Sequence, residues 1–136
     1  MIDNLPDGGA KRVLYEQIKG LKERQYEIDW YTNDQASLFE ISPLVREVYR
    51  FNLDLSDKAG LFRPLKEVSI FTSLLAKYLT IAKMVNSRHY QAIILHPDKI
   101  TQSPMVIPYL KAKKLYFMEE VLRNYYEPEL HPLQHQ

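Results

Sequence analysis

Two glycines stand where a strand end would meet a helix, and this arrangement could serve phosphate chemistry. Gly8 and Gly9 come directly before a predicted helix. A glycine pair lets the backbone approach a ligand closely, and the exposed N–H groups of a helix N-terminus favour an anion such as phosphate. The pair lacks the spacing of a dinucleotide fingerprint and the lysine of a P-loop. An ordinary turn is therefore the alternative interpretation.

A histidine marks a second candidate position. His96 ends a compact apolar run, residues 91–96, which predicts a buried parallel strand stopped by Pro97 and Asp98. In parallel sheets, ligands bind beyond the carboxyl ends of the strands. An imidazole placed there could bind a hydroxyl, accept a proton or contact a phosphate. The alternative is a histidine that only caps the strand end.

Adjacent carboxylates mark the third position. Glu119 and Glu120 follow the last predicted strand, and Arg123 comes one turn later. One carboxylate could accept a substrate proton or bind sugar hydroxyls, while the other pairs with the arginine. A solvated cluster of charges is the alternative.

Composition excludes several classes of protein. The 136 residues contain no cysteine, which removes disulfide frameworks, zinc–thiolate sites and cysteine nucleophiles. The chain has eighteen basic and seventeen acidic residues, so its net charge is close to zero. A nucleic-acid binder that depends on a global positive field is therefore not expected. His131 and His135 have helical metal-pair spacing but no supporting ligand nearby. No metal and no cofactor are predicted, and no apolar run is expected to approach the roughly 20 residues of a membrane span.

The elements that must position these residues alternate between helix and strand. This order predicts an α/β fold: a Rossmann-like parallel sheet with helices on both faces. The apolar stripe of the long helix could cover the sheet or lie on a membrane surface. In the stretch 44–63 the charged and apolar residues recur at no clear helix or strand spacing. Helices are predicted at 10–24, 64–87 and 103–110, and strands at 26–32, 38–41, 91–96 and 114–118.

Four segments together resemble a known family, in the family's order. Residues 6–16, with Gly-Gly-Ala, resemble the glycine loop and first helix of retaining glycosyltransferases of family four, which have the GT-B fold. Residues 26–32 resemble the strand that follows, 90–104 the strand and loop that carry the family's strand-end histidine, and 115–128 its "HEplR" segment. The resemblance covers nearly the whole chain, and the linked set is more specific than any one piece.

The resemblance implies roles for individual residues. Gly8 and Gly9 would lie at the cleft, near the donor diphosphate and the acceptor. Glu120 and Arg123 match the family's substrate-binding Glu and Arg, and His96 matches its strand-end His. Glu119 stands where the family has His, which puts a His-like catalytic role there in doubt, and Lys11 replaces the usual Glu.

The family pattern also predicts what this chain lacks. A full apolar strand precedes the glycine loop in the family, whereas only residues 2–4 stand there in this sequence. Most of the first, central strand is therefore expected to be missing, so that its two neighbours would lose their shared partner. Residues 1–128 are expected to form this incomplete domain, followed by an unstructured tail at 129–136. The family's donor-binding domain would lie beyond Gln136.

Two functions follow. The first is the acceptor-binding N-terminal domain of a glycosyltransferase that moves a sugar from a nucleotide-sugar to a glycan or lipid-linked hydroxyl acceptor, inactive as this fragment. The alternative is a non-catalytic α/β module that binds a protein partner or a nucleotide. Expected partners are the donor, the acceptor and the missing C-terminal domain, with homo-oligomers through open sheet edges and no nucleic acid. The expected location is cytoplasmic, with peripheral contact to a membrane.

Overall fold

The computed structural model describes residues 1–5, 8–33, 39–53, 63–99 and 101–118, and for 63–67 only the helical backbone. Its centre is a five-stranded, all-parallel sheet in the order β3-β2-β1-β4-β5, which confirms the predicted Rossmann-like α/β class. The elements are β1 (Ile2–Asn4), α1 (Gly9–Glu23), β2 (Asp29–Asn33), β3 (Glu47–Phe51), α2 (Arg63–Ser87), β4 (Ala92–Asp98) and β5 (Lys113–Tyr116), with single 3-10 turns at Ser42–Leu44 and Ile107–Tyr109.

The central strand is short but present. β1 contains only three residues, yet Ile2 lies opposite Tyr31 of β2 and Leu95 of β4. The expectation that β2 and β4 lose their shared neighbour was therefore wrong. Two of the three residues, Asp3 and Asn4, are polar and fully buried, which is why the sequence pattern did not identify them as a central strand.

The two helices cover opposite faces of the sheet because neighbouring residues of a strand point to opposite sides. Trp30 packs with Leu14 and Ile18 of α1, whereas Tyr31 packs with Tyr78 and other residues of α2. The predicted helix 10–24 is confirmed within one residue at each end. A layer of helix on each side of the sheet buries both apolar faces.

The long helix α2 begins one residue before its predicted start and ends at the predicted residue, and Pro64 lies in its first turn, where a missing N–H costs little. The helical spacing of its apolar residues predicts one stripe, made of Val68, Phe71, Leu74, Leu75, Leu79, Ala82 and Val85. The buried side differs from this stripe, since Val68 and Phe71 are exposed. The segment Val68–Ser87 is long and apolar enough, by length and composition, to cross a membrane, which corrects the expectation that no run approaches that length. Core helices pass the same test, and the residues buried against the sheet are Leu74, Tyr78, Ile81, Ala82 and Val85.

Several other boundaries differ from the predicted ones. β2 begins at Asp29, and Tyr26 lies exposed before it. Residues 39–41 form no strand, and the 3-10 turn Ser42–Leu44, with Pro43 near its start, follows them. The stretch without a clean period contains β3, and β4 continues through Pro97 to Asp98.

The remaining differences lie near the carboxyl end. A single 3-10 turn replaces the predicted helix at 103–110. The last strand, predicted at 114–118, ends at Tyr116. The tail lies outside the described residues.

Gly20 in the middle of α1 offers a simple test of helix energetics. A methyl group added there meets only the guanidinium of Arg24, at 3.4 Å, and that end of the side chain can move. Because glycine loses more backbone entropy than alanine on folding, Gly20→Ala is expected to raise the free energy of unfolding by about 0.5–1 kcal/mol. Urea denaturation measures this, and a decrease would show that the Arg24 contact dominates.

Candidate functional site

The candidate site lies at the carboxyl edge of the sheet, where β1, β2 and β4 end beside the start of α1. In open parallel sheets this edge next to the central strand is the usual ligand-binding position. β1 ends at Asn4 and β4 at Asp98, and these two residues are register partners. The side chains beneath the edge are polar and almost fully buried.

The start of α1 is open to solvent. Gly8 and Gly9 are exposed, and nothing lies within 4 Å of the place where a Cβ would stand on either. Gly8 has φ +148°, a backbone conformation that residues with a side chain rarely adopt. Its carbonyl accepts the first helical hydrogen bond from the N–H of Arg12, at 3.0 Å, and no side chain caps the helix. The N-terminal amides of a fifteen-residue helix thus face the carboxyl edge without a side-chain cap.

A buried ion pair supports this edge from below. The carboxylate of Asp3 accepts hydrogen bonds from Lys11 Nζ at 2.6 Å and from Trp30 Nε1 at 2.5 Å. Both Asp3 and Lys11 are at least 95% buried. Lys11 lies in the first turn of α1, but its charge is directed into the protein and neutralised there. The open helix N-terminus therefore offers backbone amides and its dipole, not a lysine side chain.

A second polar group joins β1, β4 and α2. The carboxylate of Asp98 accepts hydrogen bonds from Asn4 Nδ2, at 3.1 Å, and from the hydroxyl of Tyr78. Its other oxygen accepts the N–H of Thr101, at 3.0 Å. Asn4 Oδ1 is buried and has no hydrogen-bond partner. These bonds fix the ends of the two central strands relative to each other and to the long helix.

His96 lies inside the protein rather than at the open edge. Its side chain is fully buried on the same face as the Asp3–Lys11 pair, and its ring lies 5.6 Å from that of Phe117, centroid to centroid. Burial lowers the pKa of His96 to about 4, although the charge of Asp3 raises it. The imidazole is thus neutral at pH 7. It can exchange hydrogen bonds there, but it does not share the exposed surface of Gly8 and Gly9.

Of the predicted site residues, the structure places the glycine pair beside the carboxyl edge and His96 beneath it. Glu119, Glu120 and Arg123 lie outside the described residues. Sequence reasoning missed Asp3, Lys11 and Asp98 as members of one site. Acidic residues at the ends of two strands of a parallel sheet were the available signal, because such ends meet at one edge.

Comparison with known proteins identifies no relative of this chain. No family model matches the chain, and no curated protein and no solved structure is similar enough to count as a match. Within the ranges that the structure describes, no group of three or more His, Asp or Glu residues is arranged to hold a metal ion. The class that the fold defines is a Rossmann-like parallel α/β domain.

Proposed function

We propose that this chain is the acceptor-side, N-terminal domain of a retaining GT-B glycosyltransferase that transfers a sugar from a nucleotide-sugar to a glycan or lipid-linked hydroxyl acceptor. The observation that carries the proposal is the uncapped N-terminus of α1, preceded by the exposed Gly8 and Gly9, beside the end of the central strand. The four sequence segments that resemble the family support it.

The chemistry of this edge suits a diphosphate. Oxygens of a bound diphosphate would accept hydrogen bonds from the first amides of α1, and the helix dipole would stabilise their negative charge. As the bond to the sugar breaks, negative charge grows on the leaving diphosphate, so a preorganised set of amides favours the transition state. The absence of a side chain at Gly8 leaves room for the ligand against the backbone.

The other proposed residues keep the roles that the resemblance implies. Glu119 is the proposed catalytic residue, Glu120 and Arg123 would bind substrate, and His96, expected from the sequence to be catalytic, is proposed instead as a positioning residue. The burial of His96 favours an indirect role, in which its neutral ring supports the strand end without touching the ligand. The donor-binding domain would come from further chain, so the 136 residues alone are expected to transfer no sugar.

A titration followed by amide NMR tests the proposed diphosphate contact. Uridine and guanosine diphosphates, and their sugar conjugates, are expected to shift the amide signals of Gly8, Gly9 and Ala10 with millimolar affinity. Gly8→Ala is expected to weaken binding about tenfold, because its φ of +148° strains any residue with a Cβ. Gly20→Ala, within the same helix, is the matched control and should bind normally.

Two outcomes would contradict the proposal. If the amide signals that shift lie away from the start of α1, or if Gly8→Ala leaves binding unchanged, the diphosphate site is not at the start of α1. Sugar transfer by the purified chain would show that these 136 residues contain a complete active site.

The alternative function is a non-catalytic α/β module that binds a protein partner or a nucleotide, and it stays a prediction. Contact with a membrane and self-association through the sheet edges also stay predictions.

A further inference from the structure

A groove runs along the sheet face that carries α1, between that helix and the two strands β4 and β5. Of the two α-helices that the structure describes, only α1 lies on this face, where Leu14 and Ile18 pack with Trp30 of β2. The other side of α1 borders β4 and β5. The space between them has a volume of about 800 Å³, which is typical of sites for small molecules. We call it the α1–β5 groove.

The floor of the α1–β5 groove is apolar. Ile94 of β4 lies opposite Leu115 of β5, and Phe117 follows two residues later on the same face, because side chains alternate along a strand. Leu115 is 48% exposed and Phe117 is 40% exposed, although both are large apolar side chains. Contiguous exposed apolar surface is rare on monomeric proteins, and where it occurs it commonly marks a binding site.

The second wall is one side of α1. Val13, Gln17 and Gly20 line the groove at helical spacing, together with Leu21. Val13 is also exposed in spite of its apolar side chain. Gly20 has no side chain, and a Cβ there would meet only the guanidinium of Arg24. The glycine therefore leaves space beside the helix that a larger residue would fill.

The α1–β5 groove extends away from the candidate site. Because α1 starts at the carboxyl edge of the sheet, Val13 lies toward that end of the groove and Arg24 lies at the other. Phe117 follows the last residue of β5 at the same edge, and its ring lies 5.6 Å from that of His96. At the helical rise of 1.5 Å per residue, the distance along α1 from Val13 to Arg24 is about 16 Å.

Charge distinguishes the two ends of the groove. Arg12 lines the carboxyl end, is exposed and makes no ion pair within the described part of the chain. Arg24, at the other end, donates to the carbonyl of Gly20 at 2.9 Å and stands at the negative end of the helix dipole. Glu16 adds a carboxylate to the rim one turn beyond Arg12. An anion is therefore expected at Arg12, beside the positive end of the helix dipole.

We propose that the α1–β5 groove binds the hydrocarbon chain of a lipid acceptor, with an anionic head group of that lipid at Arg12. An exposed apolar floor with one basic group at the end next to the candidate site is complementary to a single amphipathic molecule. In the glycosyltransferase proposed above, this groove would select a lipid-linked acceptor over a soluble glycan. That selection rests on the proposed function, whereas binding of the chain itself does not.

Titration with n-alkyl phosphates, kept below the concentrations at which they form micelles, tests this inference by NMR. Hexyl, octyl and decyl phosphate are the ligands, and the side-chain signals of Ile94, Leu115 and Phe117 report on the groove. We expect one saturable site, with an affinity that rises about tenfold for every two methylene groups added. Inorganic phosphate is expected to leave these signals unchanged.

Three variants assign the site. Gly20→Phe places a ring in the groove and is expected to weaken the binding of decyl phosphate by about tenfold or more. Lys19→Phe places the same ring on an exposed neighbour outside the groove, so this matched control should bind normally. Arg12→Gln is expected to weaken octyl phosphate about tenfold and to leave the binding of 1-octanol unchanged, since only the phosphate carries a charge.

Four outcomes would overturn the inference. An affinity that does not rise with chain length would show that only the phosphate is bound. Normal binding to Gly20→Phe would place the chain elsewhere. A dimer of the parent protein that buries Leu115 and Phe117 would assign the groove to a second copy. Nuclear Overhauser contacts from these two side chains to residues 119–136, without ligand, would assign it to the chain itself.

The result is separable from the diphosphate test. Diphosphate binding is followed at the amides of Gly8 and Gly9, and alkyl phosphate binding at side chains of β4 and β5. Binding of decyl phosphate without binding of uridine diphosphate would support the groove as a lipid site and contradict the proposed function alone.

Discussion

Replacing Asp3 by alanine is expected to lower the free energy of unfolding by about 3–5 kcal/mol, as for other buried ion pairs that lose one partner. The substitution leaves the ammonium of Lys11 and the indole N–H of Trp30 inside the protein without the carboxylate that both contact. The N–H of Leu5, 3.3 Å from the same carboxylate, loses a contact as well. Domains have about 5–15 kcal/mol of stability in total, so this loss would be severe. Urea denaturation measures it.

Two controls separate the buried charge from other effects of the substitution. Asp3→Asn combined with Lys11→Met removes both charges and keeps an oxygen near Trp30, and it is expected to recover at least half of the loss. Glu27→Ala removes the exposed partner of Arg46, whose ion pair is 2.8 Å long, and should cost less than about 1 kcal/mol. A loss below about 1 kcal/mol for Asp3→Ala would contradict the prediction.

The second large effect is a loss of stability in mild acid through His96. Its pKa is about 4 in the folded protein against 6.5 for an unperturbed histidine. Between these values the unfolded chain binds the proton and the folded chain does not, so stability falls as the pH drops from 6.5 to 4. Each unit of pKa difference corresponds to about 1.4 kcal/mol, which gives a loss of about 3 kcal/mol across this window. Urea denaturation at a series of pH values measures it.

The variant His96→Gln isolates this effect. Glutamine does not titrate, so the slope of stability against pH between 6.5 and 4.5 is expected to flatten relative to the parent chain. The Met1 amine, with a pKa lowered from 8.0 to about 6, adds its own loss between pH 8 and 6 in both proteins. The difference between the two proteins is therefore the measurement. Parallel slopes would show that His96 titrates normally and is reached by solvent.

Much of the fold could be predicted because the spacing of apolar residues in long amphipathic or apolar segments indicates whether they form a helix or a strand. The apolar residues of α1 recur at helical spacing, those of β4 form a compact run, and α2 is a long apolar segment, so each pattern indicates one type of element. The edge strand β3 has no such pattern, since Glu47 and Arg50 interrupt its apolar residues. Its pairing with β2 over all five residues forms the strand in spite of that weak pattern.

The candidate site was less predictable because its chemistry depends on tertiary neighbours. Lys11 differs from the residue that the family resemblance leads one to expect, but its burial against Asp3 depends on the position of α1 beside β1, which brings residues eight apart into contact. The exposed position of Gly8 and Gly9 could be predicted from their place before a helix. The burial of His96 could not, since it depends on how β4 lies under α1 and beside Phe117.

The brevity of β1 also determines how cooperatively the domain unfolds. β2 pairs with β3, and β4 pairs with β5; among the described residues these two ribbons are joined within the sheet by β1, with Met1 adding backbone hydrogen bonds to β2. A two-stranded ribbon is marginal on its own. We therefore expect substitutions in β1 to have the largest effect on whether the two halves of the sheet melt as one unit or in two separate steps.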